Sequence, residues 1–568
     1  MEKVKTYQSQ SFFTNDITID DIFTIEDFTD EHQMIAQTTA EYIEQQIKPV
    51  LPEMEKQNFS EVKKLIRKAG DLGLLGTDIP EDYGGIALDK ISSIVITEIM
   101  ATSRSFSITY SGQVGIGSLP IVYYGTEMQK ADYLPHVASG EKIGAYALTE
   151  PNAGTDALSI KTTARLSKDG RYYILNGEKQ FITNSSFADF FILYAKIDGD
   201  KFTAFIVDRD TEGITIGPEE QKMGLKGSST TSIVLNDVHV PVENVLGEIG
   251  KGHSIAFNIL NIGRHKISAT CLGTAKRALE LATQHATERT QFKRPLSEFN
   301  LIKEKIALMA VKIFAMESMV YRTAGEFERG AVYSKQNRLS FVNLLKIFAP
   351  ECSANKVFAS EALDEIVDES LQIHGGYGFT SEYEIETLYR DSRINRIFEG
   401  TNEINRIVIA NAILNEIDGY PSARTINGTL SGRFSCEWSQ LNLLRELTFF
   451  LVQHVKETIP NYSKEQELLA CISDFAINIF ALESSLLRIE KMLVKGHVKN
   501  LVHYEAIVKV LAEEISGVFF KKAISLSTNV PSSFKQKLLE LMDFLQNKTF
   551  DSMSEKRKIA EVIFKGSY

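Results

Sequence analysis

Apolar residues recur at three- and four-residue intervals through the first quarter of the chain, the spacing of helices that bury one face. The stretch ISSIVITEIMATSRSFSITYSGQ, residues 91–113, is an example. Pro80, Gly84–Gly85 and Pro120 interrupt the pattern, because proline and glycine break regular helices. The pattern therefore predicts a domain of short helices over residues 30–145, preceded by an N-terminal arm of residues 1–29.

The hydrophobic period changes after Tyr146, where β-rich runs begin. Asn176–Gly177 lies inside YYILNGEKQFIT, and Asp198–Gly199 lies between FFILYAK and KFTAFIVD. Asn-Gly and Asp-Gly are typical of tight hairpin turns between strands. We therefore predict two hairpins within an antiparallel β domain that covers residues 146–250 and ends near VLNDVHVPVENVL.

Helical spacing returns in residues 251–417, for instance in LIKEKIALMAVKIFAMESMVYRTAGEF. Residues 418–438 are rich in Gly, Ser, Thr and Asn, a composition typical of a linker. Residues 439–568 are helical again. The predicted fold is mainly α with a middle β domain, in the order helical, β, helical bundle, linker and extra C-terminal helical domain.

Composition narrows the function. The chain has 568 residues and a net charge of −12 without a compensating basic run, which argues against a nucleic-acid partner. Its four cysteines form no C-x-x-C pair, so we expect a reducing compartment and neither a disulfide framework nor a zinc site. The N-terminus lacks a secretory pattern, and we expect no membrane-spanning segment. A cytoplasmic location is the resulting prediction.

Familiar nucleotide and metal motifs are missing. GIGSLP lacks the third glycine of a dinucleotide fingerprint, GEIGKGHS misplaces the Lys and Ser of a P-loop, and H-E-x-x-H does not occur. Four other polar or glycine-containing stretches deserve comparison: YALTEPNAGTD (146–156), QFITN (180–184), ERTQF (288–292) and QIHGGYGF (372–379). Each is individually consistent with a hydrogen-bonded loop or with backbone that approaches a flat polar ring or a phosphate. We expect a packing role for His374.

The stretch RIFEGTNEINR, residues 396–406, has two interpretations. Thr401 or Asn402 is a suitable helix cap, and Glu403 favours the positive end of the helix dipole. In the second interpretation Glu399, next to Ile397 and Phe398, is a general base in an apolar cleft, where burial raises the pKa of a carboxyl group. This segment alone does not decide between them.

Taken together, YALTEPNAGTD, KQFITN, LNIGR, ERTQF, QIHGGYGF and RIFEGTNEI resemble the acyl-CoA dehydrogenase family in order and spacing, over about residues 30–415. The resemblance implies an N-terminal helical domain, a middle β-barrel and a C-terminal four-helix bundle. It also implies FAD as cofactor, bound between the β domain and the helices of one subunit and touching a second subunit.

The resemblance assigns a role to each matching position. Flavin contacts are implied for Tyr146, Leu148, Thr149, Gly154, Thr155, Phe181, Ile182, Thr183, Thr401, Asn402 and Glu403. Contacts with the pyrophosphate and adenosine parts of FAD are implied for Arg289, Gln291, Phe292, Phe299, Asn300, Gln372, Gly375 and Gly376. Acyl-CoA contacts are implied for Thr155, Asn261, Arg264 and Gly400. Many relatives have Trp where this chain has Phe181, which leaves the surface for electron exit undefined.

Removal of two hydrogens from an acyl thioester needs a base for the α-proton and an acceptor for the β-hydride. In most branches of the family the residue at the position of Glu399 is that base. A few branches carry the base beside the active-site arginine instead. Here that arginine is Arg264 and its neighbour is Gly263, so the resemblance favours Glu399 and disfavours a branched-chain substrate.

The helical segment 439–568 resembles the extension of the very-long-chain branch, which implies a homodimer and a long-chain fatty acyl-CoA substrate. Gly112, Gly115 and Gly117 fit a deep acyl channel and fit helix packing equally well. An electron-transfer flavoprotein is the implied acceptor. An acyl-CoA oxidase and a non-catalytic scaffold are the alternatives, and peripheral membrane contact through the amphipathic segment 534–546 stays open.

Overall fold

The computed structural model of the chain describes residues 16–417, 426–428, 430–496, 500–526, 530–547 and 550–566. It divides into two compact units, one of residues 29–273 and one that combines the described residues before 29 with those from 274 onward. The first strand, Ile17–Thr18 (β1), therefore belongs with the C-terminal helices. The first fifteen residues of the predicted arm lie outside the described part.

Seven helices open the unit of residues 29–273, as the apolar spacing predicts. They are Asp30–Tyr42 (α1), Leu51–Met54 (α2), Val62–Asp71 (α3), Lys90–Met100 (α4), Ser105–Gly112 (α5), Leu119–Tyr124 (α6) and Glu127–Ala138 (α7). Side chains of Thr29, Asp89 and Thr126 cap α1, α4 and α7 by accepting hydrogen bonds from backbone N–H groups. Pro120 lies in the first turn of α6, and Pro80 lies in the connection before α4, so both interrupt helices as predicted.

The middle of the chain forms one eight-stranded sheet. Its strands are Gly144–Ala147 (β2), Thr163–Leu166 (β3), Tyr172–Thr183 (β4), Phe190–Ile197 (β5), Lys201–Asp208 (β6), Ile214–Ile216 (β7), Thr230–Pro241 (β8) and Val245–Leu246 (β9). The hydrogen-bonded order is β7-β8-β4-β3-β5-β6-β9, with β2 also paired to β5. The predicted β domain is confirmed, but β2 and β3 pair with β5 in parallel, so the sheet is mixed rather than antiparallel. Among the described residues its two edge strands do not pair to close a barrel.

One of the two predicted hairpins is confirmed and the other is wrong. Asp198–Gly199 joins β5 to β6, which pair in antiparallel register. Asn176–Gly177 instead lies inside the continuous strand β4, at a register shift against β8. A Cβ at Gly177 would lie 2.5 Å from Thr162 Oγ1, and the Asn176 side chain exchanges hydrogen bonds with Asp237. The dipeptide therefore permits a bulge and a close backbone approach instead of a turn.

From residue 252 onward the described residues are helical apart from connecting segments and three two-residue strands. Its elements are Gly252–Glu288 (α8), which continues from one unit into the other, Thr290–Gln291 (β10), Arg294–Pro295 (β11), Asn300–Gln336 (α9), Val342–Leu345 (α10), Ala349–His374 (α11), Glu384–Ser392 (α12), Asn402–Glu416 (α13), Ile426–Asn427 (β12), Ser435–Thr458 (α14), Gln466–Lys495 (α15), Leu501–Leu526 (α16), Ser532–Gln546 (α17) and Ser552–Phe564 (α18). α11 packs on α9 and α13, and α15 packs on both α9 and α13. The helical bundle and the extra helical domain thus share one unit.

The predicted linker is shorter than its composition suggests. α14 begins at Ser435, and β12 pairs in parallel with β1 of the N-terminal arm. Residues 418–425 and 429 lie outside the described part. Within it, the segment between the bundle and the extra domain is tied to the arm by this short strand pair.

α15 corrects the expectation that no segment is apolar enough to cross a membrane. By length and composition this helix meets that criterion, and it is the one helix among the described residues that does. However, 83% of its most apolar window is buried inside the structure. It also carries buried charged residues, among them Glu483 and Arg488, that form ion pairs within the unit. The burial identifies α15 as a core helix of this unit.

Ion pairs fasten the N-terminal arm to α15. Arg488 pairs with Glu26 of the arm and with Glu317 of α9, each at 2.7 Å. Lys491 and Lys495 both pair with Asp27. Because Arg488 is buried between two carboxylates, its removal would leave buried negative charge uncompensated.

We expect Arg488→Ala to lower the free energy of unfolding by about 3 kcal/mol, the lower end of the range for breaking a buried ion pair. Lys495→Ala is the matched control, because its side chain is more exposed and surface pairs contribute about 0–1 kcal/mol. Thermal melts of both variants measure the difference. Equal melting temperatures for the two variants would contradict a stabilising role of Arg488.

Candidate functional site

The first predicted segment, residues 146–156, leaves the sheet at the end of β2. Tyr146 and Leu148 are buried and Thr149 is half-buried, whereas Gly154 and Thr155 are exposed. A Cβ at Gly154 would meet no atom within 4 Å, so the backbone there is open to close approach by a ligand. The loop thus combines a fixed base with an open tip.

A buried ion pair fixes the base of this loop. Lys179 of β4 donates to Glu150 Oε1 at 2.7 Å and to the carbonyl oxygen of Leu148 at 3.3 Å. Glu150 also accepts hydrogen bonds from the backbone N–H groups of Lys161 and Thr162. Burial lowers the pKa of Lys179 to about 8, which still leaves its ammonium group protonated at neutral pH. Burial alone would raise the pKa of Glu150, but Lys179 and the N–H donors hold it below its usual value.

The second segment is the end of β4, directly beside the first. Gln180 N–H donates to the carbonyl oxygen of Thr149 at 2.9 Å, so the two predicted flavin segments are joined by the backbone. Phe181 has a positive φ of 59° at a register shift, and its side chain is 57% exposed. Ile182 is buried and Thr183 is half-buried. The structure therefore presents the Phe181 ring at the surface of the β domain.

The predicted acyl-CoA residues on α8 are buried and in contact. Arg264 Nη1 donates to Asn261 Oδ1 at 2.8 Å. The next residues anchor this part of the helix, because Lys266 pairs with the buried Asp78 at 3.1 Å. Burial, with Lys266 adjacent, lowers the pKa of His265 to about 3, so that imidazole is neutral.

In the other unit the ERTQF and QIHGGYGF segments meet. Arg289, Gln291, Gly375 and Gly376 line one cavity of about 550 Å³. The cavity is also lined by His285, Leu296, Ile373, His374, Tyr377 and Thr380. At Gly375 and Gly376 a Cβ would meet no atom within 4 Å, and Arg289 lies over the Tyr377 ring at 5.3 Å. An exposed guanidinium beside accessible backbone fits a phosphate-bearing ligand.

His374 has the packing role that the sequence predicts. Its Nδ1 lies 2.7 Å from the carbonyl oxygen of Ser370, and its ring stacks on His285 at a centroid distance of 4.4 Å. Four further predicted contacts do not line this cavity, namely Gln372, Phe292, Phe299 and Asn300. Phe292 is 88% exposed at the tip of the β10–β11 hairpin and lies 6.2 Å from the Phe299 ring.

Glu399 occupies the loop before α13. Thr401 caps this helix by accepting a hydrogen bond from Ile404 N–H, and Glu403 lies in its first turn, as predicted. Glu399 and Gly400 both have positive φ, 55° and 81°. A non-glycine residue held in this region costs about 1–3 kcal/mol and persists only where its surroundings fix it. Glu399 is half-buried and Ile397 is 48% exposed. The surroundings of Glu399 are therefore less enclosed than the apolar residues beside it in the sequence indicate.

The fixing contacts come from Lys356 and Asn405. The fully buried Lys356 donates to the carbonyl oxygen of Gly400 at 2.9 Å and to Asn402 Oδ1 at 2.7 Å. Asn405 Nδ2 donates to the same Gly400 carbonyl at 2.8 Å. Asn402, which the resemblance assigns to the flavin, has a side chain that is buried and engaged in this network. These contacts fix the carbonyl group of Gly400, the residue that follows Glu399, and so restrict the loop that carries Glu399.

Sequence reasoning missed Glu150, Lys179, Lys356 and Asn405. Each is a charged or amide residue that is buried in the structure. Their letters lie inside or near recognised motifs, but nothing in a linear pattern indicates that Lys356 reaches a carbonyl group 44 residues further along. A lysine within an otherwise apolar helix face is the one available signal, because unpaired lysines are almost never fully buried.

These residues fit FAD in two respects. Open glycine backbone and an exposed arginine suit the pyrophosphate part, as at Gly375, Gly376 and Arg289. Backbone and an exposed aromatic ring suit the flat ring system, as at Thr149 and Phe181. Both donor sets match the chemistry of a dinucleotide.

Comparison with known proteins gives four matches to profiles of one family. The acyl-CoA dehydrogenase N-terminal domain matches residues 29–141, and the middle domain matches residues 145–238. Two profiles described as the acyl-CoA dehydrogenase C-terminal domain match residues 250–414 and 451–536. The family matches thus extend into the extra helical domain, as far as residue 536.

Individual relatives belong to the same family as the matching profiles. A probable acyl-CoA dehydrogenase of Bacillus subtilis (strain 168) is 50% identical over 499 residues, which cover 84% of each chain. The very long-chain specific mitochondrial acyl-CoA dehydrogenase of Homo sapiens is 34% identical over 549 residues, 86% of this chain and 80% of that one. A crystal structure of acyl-CoA dehydrogenase complexed with FAD from Bacillus anthracis has a TM-score of 0.92 and 44% identity, and the match covers 99% of both chains.

We expect Lys179→Met to weaken FAD binding about 10-fold or more, because it removes the ammonium group that compensates the buried Glu150 charge and donates to the Leu148 carbonyl. Titration of the apoprotein with FAD, followed by quenching of flavin fluorescence, measures the change. Lys201→Met is the control, since Lys201 forms an exposed pair with Asp198 on the same sheet. If both variants bind FAD like the wild type, Lys179 does not hold the loop for the cofactor.

Proposed function

The chain belongs to the acyl-CoA dehydrogenase family, and on that premise we propose that it catalyses the α,β-dehydrogenation of a long-chain fatty acyl-CoA to the trans-2-enoyl-CoA. This is the first step of fatty-acid β-oxidation. The observation that carries the proposal is the loop of Glu399, which is held in a strained left-handed conformation by two buried donors on the adjacent carbonyl. Strain that the surroundings maintain is typical of catalytic positions.

In the proposed reaction Glu399 removes the α-proton of the thioester. Bound FAD supplies the acceptor for the β-hydride. Negative charge develops on the thioester carbonyl oxygen, and the backbone N–H of Glu399 is a suitable donor to it. Thr155, Asn261, Arg264 and Gly400 are the proposed acyl-CoA contacts, and the Arg264–Asn261 hydrogen bond orders two of them before substrate arrives.

The residues proposed to hold FAD form two sets, one from each compact unit. The first comprises Tyr146, Leu148, Thr149, Gly154, Thr155, Phe181, Ile182 and Thr183. The second comprises Arg289, Gln291, Phe292, Phe299, Asn300, Gln372, Gly375, Gly376, Thr401, Asn402 and Glu403. For Asn402, whose side chain belongs to the buried network, the contribution is to order the loop rather than to contact the flavin.

Long-chain preference is supported by the space beside Gly115. This residue is buried, yet a Cβ there would meet no atom within 4 Å. Gly112 and Gly117 differ, because a Cβ would lie 2.9 Å from Asn184 Nδ2 and 2.7 Å from the Gly112 carbonyl oxygen, respectively. Packing therefore accounts for two of the three glycines, and Gly115 is the proposed wall of an acyl channel.

Three further features belong to the proposal. We propose an electron-transfer flavoprotein as the acceptor, a cytoplasmic location and a homodimer. The rings of Phe292 and Phe379, each 88% exposed, are suitable apolar contacts for a second copy.

Glu399→Gln tests the proposed base. In anaerobic titration, palmitoyl-CoA should bleach the visible flavin absorbance of the wild type more readily than butyryl-CoA or isovaleryl-CoA. The variant should bind FAD normally and bleach about 10²–10⁴ times more slowly, the usual contribution of a general base. Glu382→Gln, an exposed carboxylate outside the site, should behave like the wild type.

Two outcomes count against the proposal. If no thioester bleaches the flavin-loaded wild type, a scaffold function replaces the catalytic one. If bleaching occurs and molecular oxygen reoxidises the flavin as fast as an electron-transfer flavoprotein does, the protein is an oxidase.

Gly115→Leu tests the acyl channel. The added side chain should fill the space beside Gly115 and lower kcat/KM for palmitoyl-CoA at least about 10-fold, the scale for losing one to two kcal/mol of apolar burial. Activity with butyryl-CoA should stay within about 2-fold, within what differences of a few tenths of a kcal/mol produce. Gly517→Leu, in open space on the exposed face of α16, is the matched control. Equal losses for both substrates would contradict the assignment of Gly115 to the channel.

A further inference from the structure

Arg406, one turn into α13, connects the catalytic loop to the extra C-terminal domain. Its Nε donates to Asp474 Oδ1 of α15 at 2.7 Å. Its Nη1 and Nη2 donate to the two carboxylate oxygens of Glu361 on α11, at 2.8 and 2.9 Å. The guanidinium group thus uses three of its nitrogen atoms to join three helices in a fixed orientation.

From Glu361 the contacts continue to the loop. Asn402 Nδ2 donates to Glu361 Oε1 at 3.0 Å, and Asn402 Oδ1 accepts from Lys356 Nζ at 2.7 Å. Lys356 Nζ also donates to the carbonyl oxygen of Gly400 at 2.9 Å. An unbroken series of hydrogen bonds therefore links Asp474 to the peptide next to Glu399.

The ends of this series are well fixed. Asp474 is buried, and its second carboxylate oxygen pairs with Lys522 of α16. The neighbouring Ser473 hydroxyl donates to the backbone carbonyl oxygen of Arg406. α15 thus contacts both the side chain and the backbone of Arg406, and α16 holds Asp474 through Lys522. Both helices belong to the extra domain.

The charges along the series favour a single arrangement. Burial would raise the pKa of Glu361, but Arg406 and Asn402 keep it below its usual value, so Glu361 is ionised. Two carboxylates, Glu361 and Asp474, therefore share one guanidinium. Loss of the Asp474 charge would free Arg406 Nε and permit the guanidinium to rotate about Glu361.

We propose that Asp474 is a positioning residue for the base Glu399, acting through Arg406, Glu361, Asn402 and Lys356, so that the extra C-terminal domain helps to set the geometry of proton removal. The inference rests on the proposed function, because it takes Glu399 as the base. The positive φ of Glu399 is the physical reason for such a positioning residue, because the loop needs support from outside its own residues to keep that strained conformation.

The test uses full-length, FAD-loaded Asp474→Asn in anaerobic stopped-flow reduction by palmitoyl-CoA. This variant keeps the size of the side chain and removes its charge. The limiting reduction rate should fall about 5- to 20-fold, the effect of 1–2 kcal/mol on the barrier. The apparent Kd for palmitoyl-CoA should stay within 2-fold of the wild type. The isotope effect with α-deuterated palmitoyl-CoA should increase, because proton removal becomes more strongly rate-limiting.

Asp543→Asn, an exposed residue of α17 in the same domain, is the matched control and should reduce like the wild type. A reduction rate and isotope effect of Asp474→Asn equal to those of the wild type would overturn the proposal. So would a parallel loss of rate and substrate affinity with an unchanged isotope effect, since that pattern indicates general loosening.

If Asp474→Asn is recovered without flavin, Glu361→Gln provides the same test inside the series, with the same expected rate loss and raised isotope effect. Unchanged reduction by Glu361→Gln would then overturn the proposal. The wild type and Glu399→Gln are measured alongside. A wild type that palmitoyl-CoA does not reduce contradicts the proposed function, whereas a normal wild type with normal Asp474→Asn contradicts only the role of Asp474.

Discussion

The proposed catalysis depends on one interaction, the hydrogen bond from the buried ammonium group of Lys356 to the carbonyl oxygen of Gly400. Lys356 lies on α11, and Gly400 lies in the loop between α12 and α13. The lysine satisfies the Gly400 carbonyl and fixes Asn402, and by doing so it permits Glu399 to occupy a backbone conformation that glycine adopts far more readily. A buried lysine without acceptors would be strongly destabilising. The loop and the lysine therefore depend on each other, which makes the geometry of this segment specific.

A buried lysine orders a loop in the β domain as well. Lys179, also fully buried, holds the Leu148 carbonyl and Glu150 at the base of the first flavin segment. In both units a charged group inside the protein orders a loop, and in the β domain the tip of that loop is open at Gly154. Such groups contribute little net stability, because desolvation offsets much of the attraction, but they restrict the loop to one arrangement. Precise placement is what proton removal and cofactor binding need.

Local signals in the sequence predict local structure well here. The Thr401 cap, the Asp198–Gly199 hairpin and the alternation of helical and β segments all follow from short-range preferences. The prediction of a turn at Asn176–Gly177 was wrong because the same dipeptide also suits a β-bulge. The contacts with Thr162 and Asp237, which favour the bulge, come from distant parts of the chain. α15 was not predicted as an apolar helix because charged residues, Asp474 and Glu483 among them, interrupt its run of apolar residues. The series from Asp474 to Gly400 joins three helices and a loop and has no linear signature. Long-range polar contacts were therefore the part that required the structure.

The most direct test of the account is α-proton exchange in D₂O, measured with a thioester in which sulfur replaces the β-carbon. Such a compound has an acidic α-proton but no β-hydride to transfer, so the assay isolates the base. The account predicts that the FAD-loaded wild type incorporates deuterium at the α-carbon and that Glu399→Gln does so no faster than solvent alone. Wild-type exchange by Glu399→Gln would contradict the central claim that Glu399 removes the α-proton.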